Sequence, residues 1–103
     1  MKVLFRLGKL VMTTGALKCM GEYAIDPVKL IQRHVQGDWG DLSADDKKEN
    51  DYSVTRSLRI FSAYGTGDSK LWIITEADRS VTTIRSRIRT HNDHQRRSAK
   101  DPG

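Results

Sequence analysis

The sequence predicts an α+β domain: a small antiparallel sheet of three to four strands with about three helices mainly on one face. Two observations carry that expectation. Helix-start signals crowd the first half of the chain, and β-forming runs at residues 59–64, 70–76 and 81–85 follow one another in the second half, joined by loops too short for a crossover helix. A length of 103 residues with 37% hydrophobic content suits one small core, placed here in a single domain over residues 1–84.

Residues 3–12 read as the first strand, with Leu4, Leu7, Leu10, Val11 and Met12 as core candidates and Gly8 as a bulge or bend. Thr13 can cap a short helix over residues 14–22, in which Leu17 and Met20, with Ala24 beyond, form the apolar stripe and Gly15 and Gly21 weaken the helix. Cys19 there reads as a small packing residue, since no activating partner is adjacent. The best-bounded helix begins at Asp26-Pro27: Asp caps, Pro suits the first helical position, and Ile25 can staple onto Leu30. Val28, Leu30, Ile31 and Val35 supply its buried face, and Gly37 is placed to end it in a left-handed conformation. His34, in the last turn, is expected to satisfy terminal carbonyls as an imidazolium favoured by the helix dipole.

Gly37-Asp-Trp-Gly-Asp41 is a tight polar loop with Trp39 as its core anchor and Asp38 and Asp41 as turn formers. Ser43, with Asp46 three residues on, starts a third helix reaching about residue 55. That helix is mostly charged, and its inner stripe of Leu42, Asn50, Val54 and Leu58 turns a polar residue inward, so Asn50 needs hydrogen-bond partners from loop backbone or the Asp38–Asp41 region. Residues 59–64 and 70–76 form a hairpin around Gly65-Thr-Gly-Asp-Ser69, and residues 81–85 return as a fourth strand. The run at 71–75 is apolar enough to suggest a strand covered on both faces. The expected core contains Leu10, Leu17, Leu30, Ile31, Trp39, Phe61, Trp72 and Ile74.

Charge is unevenly placed. Residues 1–84 carry 12 Lys and Arg against 11 Asp and Glu, whereas residues 85–103 carry 6 against 2. The body is nearly neutral, and the overall +5 belongs mostly to a basic tail, expected to be mobile, in which Arg85, Arg87 and Arg89 alternate onto one face if the strand continues. Such a tail offers weak, nonspecific contact to nucleic acid. His91 and His94 lack a third ligand, so no metal site is expected, and no phosphate loop or other cofactor fingerprint is present. One cysteine and a short, early-interrupted apolar start suggest a reduced, cytoplasmic setting without a membrane anchor.

The densest polar cluster, Glu76-Ala-Asp-Arg-Ser80, follows the densest β-forming run. As an enzyme site it would use Glu76 or Asp78 as base or metal ligand, His34 as acid–base partner and Arg79 as anion clamp, which suits a small metal-dependent nuclease or hydrolase. The opposing reading is structural: Arg79 bridges Asp38 or Asp78 and fixes the Trp39 loop. No nucleophile constellation is present, and the balance lies against an enzyme. The binding candidates are Asp38, Trp39, Asp41, Asn50, Arg79, Arg85, Arg87 and Arg89.

Several blocks carry a family resemblance: Leu7-Gly-Lys-Leu-Val11, Gly15-Ala-Leu17, Arg33-His-Val-Gln-Gly-Asp-Trp-Gly-Asp41, Asn50-Asp51, Ser62-Ala-Tyr64, and Trp72-Ile-Ile-Thr-Glu-Ala-Asp-Arg-Ser80 with Thr82-Thr83. Over roughly residues 7–84 the chain resembles the small plasmid-related proteins of plasmids and integrative elements, some of which are labelled restriction-system subunits. The resemblance implies a setting in mobile DNA and no established activity. With no nucleophile, phosphate loop or metal spacing in the sequence, the chain is expected to be an accessory protein that binds a protein partner from a host or element nucleic-acid-handling system without catalysis, as anti-defence inhibitors do. Family members usually close soon after the Thr-Thr pair with a short Leu/Pro/acidic ending. This chain departs there with its Arg-rich tail, as an altered reading frame would produce, so any role of that tail is peculiar to this protein.

Overall fold

Three capping side chains set the helices of the first half. In the computed structural model, which describes residues 2–87, the Thr13 hydroxyl accepts from the Ala16 amide to start α1 (Thr14–Glu22). The Asp26 carboxylate accepts from Val28 to start α2 (Pro27–Val35), and Ser43 accepts from Asp46 to start α3 (Ala44–Arg56). Each satisfies an amide that has no partner inside its own helix. Gly37 adopts the left-handed conformation just past α2, with φ of 90°.

The second half forms β2 (Ile60–Tyr64), β3 (Leu71–Thr75) and β4 (Val81–Ser86), each antiparallel to the next, with a short 3-10 turn at Gly67–Ser69 between the first two. With β1 (Lys9–Met12) they make one four-stranded sheet in the order β1-β4-β3-β2. The α+β class holds, but the sheet is mixed: β1 runs parallel to β4, with Lys9 opposite Val81 and Met12 opposite Ile84. Hairpin signals fix only strands adjacent in sequence. The direction of β1 follows from its exit into α1, which packs back over β4.

All three helices lie toward one face. Ala16, Cys19 and Met20 of α1 and Leu30 of α2 pack on Tyr64, Leu71, Ile73 and Ile84. A second cluster joins Phe5, Val35, Trp39 and Ile60, with Leu7, Leu42 and Val54 against it. Burial alternates along β3, so Leu71, Ile73 and Thr75 are buried while Trp72 and Ile74 are half-buried on the opposite face with Phe61. The expectation of a strand covered on both faces is thereby corrected to full cover on one face and partial cover on the other.

Other core assignments change as well. Leu10, on the edge strand β1, is 41% exposed, and Leu17 is 55% exposed because α1 turns Ala16, Cys19 and Met20 toward the sheet instead. Val28 and Leu58 are exposed, and Ala24 lies beyond α1 with positive φ. The first strand is only Lys9–Met12. Residues before it run past α2, where the Leu4 amide donates to Val35, and bury Phe5 rather than Leu4. Gly8 marks the bend: with φ of 66°, it passes so close to the Arg79 and Ser80 carbonyls that a Cβ would collide with both.

Candidate functional site

α2 delivers His34 to the underside of the sheet, where it is fully buried instead of capping carbonyls at the helix end. Nδ1 faces the Ser62 hydroxyl and Nε2 lies 2.9 Å from Thr75 Oγ1. Thr75 Oγ1 is 2.8 Å from Thr82 Oγ1, and the Thr82 hydroxyl donates to the Leu7 carbonyl at 2.7 Å. A hydroxyl has one proton to give, so these contacts assign the chain of donors. Thr82 gives its proton to Leu7, Thr75 gives its proton to Thr82, and His34 Nε2–H must therefore donate to Thr75. In the neutral ring Nδ1 then accepts from Ser62. Burial holds the His34 pKa down to about 4, which keeps it in this neutral form.

The loop after α2 is fixed from several sides. Arg33 donates to both Asp38 oxygens, at 2.7 and 3.3 Å, while its guanidinium stacks over the Tyr64 ring. The Arg33 hydrogen bond is the main cause holding the Asp38 carboxyl below its usual pKa. Tyr64 donates its hydroxyl to the Asp38 carbonyl at 2.7 Å, and burial pushes its pKa up to about 12. Trp39 is buried, lies near the rings of Phe5 and His34, and donates Nε1–H to Asp51 at 3.0 Å. The Asp41 carboxylate accepts from the Gly65 amide.

That loop also closes one edge of the sheet. The outward amide and carbonyl of Phe61 bond the two ends of the buried Asn50 side chain, at 3.2 and 2.6 Å. Ala63 donates to the Trp39 carbonyl and accepts from the Asp41 amide. Gly40, with φ of 75°, runs so close to the Ala63 carbonyl that no side chain fits. Asn50 is thus the inward polar bridge its helical position suggests, with strand backbone as its partner.

Arg79 does not bridge Asp38 or Asp78. It turns the chain between β3 and β4 with φ of 61°, and its guanidinium donates to the carbonyls of Ser53, Leu58, Glu76 and Ala77. Two of these belong to the end of α3 and the residues just past it, where a cation is favoured by the helix dipole. Asp78 accepts from the Ser80 amide, and the Ser80 hydroxyl, followed by that amide, lowers its pKa, while Glu76 pairs with Arg59 at 3.4 Å. Glu76 and Asp78 therefore lie on an outer turn, away from His34, the expected acid–base partner, whose ring nitrogens face Ser62 and Thr75 instead.

Among the described residues, no group of three or more His, Cys, Asp or Glu side chains is placed to hold a metal ion. Likewise, no described helix is long and apolar enough to cross a membrane. Arg85 and Arg87 are exposed at the end of β4, while Arg89, His91, His94 and the rest of the expected mobile tail lie outside the described residues. The loop clamp Arg33 was not singled out from sequence. Its signal is a basic residue in the last turn of a helix, five positions before Asp38. Comparison with protein-family models, curated proteins and solved structures found no match.

Proposed function

We propose that the protein acts by noncatalytic binding, as an accessory protein of a mobile genetic element. Its partner is a protein of a host or element nucleic-acid-handling system, and in the most specific form of this reading it is an anti-defence inhibitor of a restriction or CRISPR system. The supporting observation is the occupation of the groups that chemistry would need. His34 is sealed in a hydroxyl chain, the Arg79 guanidinium is spent on four carbonyls, and Glu76 and Asp78 stand apart on a turn. The family resemblance supplies the mobile-element setting.

Expression in restricting and non-restricting hosts, followed by phage plating, tests this reading. Protection is expected only in the restricting host and is expected to survive Glu76→Gln and Asp78→Asn. Loss of protection in both folded variants would move the argument to carboxylate chemistry, and absence of protection against every system tried would overturn the anti-defence form. A second reading, nonspecific nucleic-acid binding through the basic end of the chain, is supported by exposed Arg85 and Arg87 two positions apart.

A further inference from the structure

The sheet has a second face on which none of the three helices packs through the two core clusters. Strand alternation and register place Phe61 of β2, Trp72 of β3 and Arg85 of β4 on that face, with Arg85 directly opposite Trp72. Lys9 of β1 occupies the same face through its pairing with Val81, and Lys70 precedes β3 with its ammonium 5.8 Å from the Trp72 ring centroid. Glu76 is the acidic residue that this alternation adds, and Arg59 already pairs with it. The body is nearly neutral as a whole, so the pair of cations Lys70 and Arg85 beside the half-buried Trp72 ring is a local concentration, whereas Lys9 stands in the row of Val81 and Glu76 at the other end of the face.

We propose that this face, on which none of the described helices packs, is a platform for single-stranded nucleic acid, with Phe61 and Trp72 stacking on bases and Lys70 and Arg85 meeting phosphates. The inference rests on the noncatalytic reading and adds a ligand class and a surface to it. Aromatic rings lying on a sheet suit unstacked bases, whose faces are open, better than paired bases held inside a duplex. The two aromatic positions are diagonal neighbours on adjacent strands, about 7–8 Å apart. They lie close enough to serve neighbouring bases of an extended strand. The Lys70 contact shows the chemistry available there, a cation beside an indole face. A second copy is a poor occupant, because face-to-face pairing would bring the same cations together.

The full chain is titrated with an unstructured oligothymidylate, a duplex of equal length and polyglutamate, each at two salt concentrations. Indole fluorescence reports contact at Trp72, and circular dichroism verifies folding of every variant. Oligothymidylate is expected to bind tightest and quench the fluorescence. Trp72→Leu, which keeps an apolar side chain, is expected to weaken that binding by roughly 5- to 100-fold. Arg85→Gln, at an exposed position, is expected to flatten the salt slope by about 0.7. Equal oligothymidylate binding by parent and both folded variants would overturn the proposal in favour of charge elsewhere in the chain. Duplex or polyglutamate binding as tight as oligothymidylate, or no binding at all, would overturn it too. Phage protection retained by Trp72→Leu would leave the noncatalytic reading standing while this one failed, so the two are separable.

Discussion

The two faces of the sheet treat polar atoms in opposite ways. Beneath the helices, His34, Ser62, Thr75 and Thr82 are buried and spend their polar atoms on one another and on the Leu7 carbonyl. On the other face, Phe61 and Trp72 remain half-buried and Arg85, directly opposite Trp72, is exposed. The difference teaches that an unusual polar residue in this protein is a poor guide to function when it lies inside. A buried polar group must be satisfied by the fold itself, whereas a surface group can keep its capacity for a partner.

The largest effect expected on the packed side comes from Trp39→Ala, which empties the centre of the second core cluster and strands the Asp51 contact. Urea unfolding should show a loss of about 3–5 kcal/mol. A loss under about 1 kcal/mol would mean that the loop collapses onto the gap, and would weaken the contrast between the faces.

Acid should act next, through His34. Burial lowers its folded pKa to about 4 from the ordinary 6.5, so between those values the unfolded chain binds a proton that the folded chain refuses. The contribution is fully present above about 6.5 and is lost as pH falls toward about 4, a change on the order of 2–3 kcal/mol. Stability measured across that window should flatten in His34→Gln. A parent profile already flat there would show that the buried ring tolerates its charge.

Arg79→Ala should cost about 1–3 kcal/mol by leaving the carbonyls of Ser53 and Leu58 without their donor. Arg79→Lys should recover only part, since an ammonium cannot span the same fork of acceptors. The smallest change belongs to Glu76→Gln, where an exposed ion pair with Arg59 is lost and thermal unfolding should stay within about 0.5 kcal/mol of the parent. A larger loss would give that outer turn a structural weight it does not have in the packed-face comparison.

Legibility in the sequence tracked how local each cause was. Thr13, Asp26 and Ser43 mark their helices because a cap acts within three residues, and the β2–β3 hairpin is announced by its glycine-containing loop. Asn50 was readable because helical spacing turned it inward with nothing apolar to replace it. Arg79 was readable as structural but not by partner, since carbonyls carry no sequence signature. His34 had a signal in its position four residues after Leu30, on the buried side of α2, and Ser62 had one in its alternation with Ile60 and Tyr64. Their meeting depends on α2 packing against the sheet, which no local pattern encodes. The parallel partner of β1 was hidden for the same reason.

That parallel pairing gives the chain an order of events. β1 emerges early in synthesis, yet its partner β4 is among the last described segments to be made. Until Ile84 has been added, Lys9–Met12 has no strand to join, and Ala16 and Met20 of α1 lack one wall of their cluster. Closing so long a loop is entropically costly, so the hairpins of β2, β3 and β4 can assemble before the first strand docks. The first strand of the sheet thus depends on its last, and a chain cut short before Val81 would leave β1 an unpaired strand exposed to other unfinished chains.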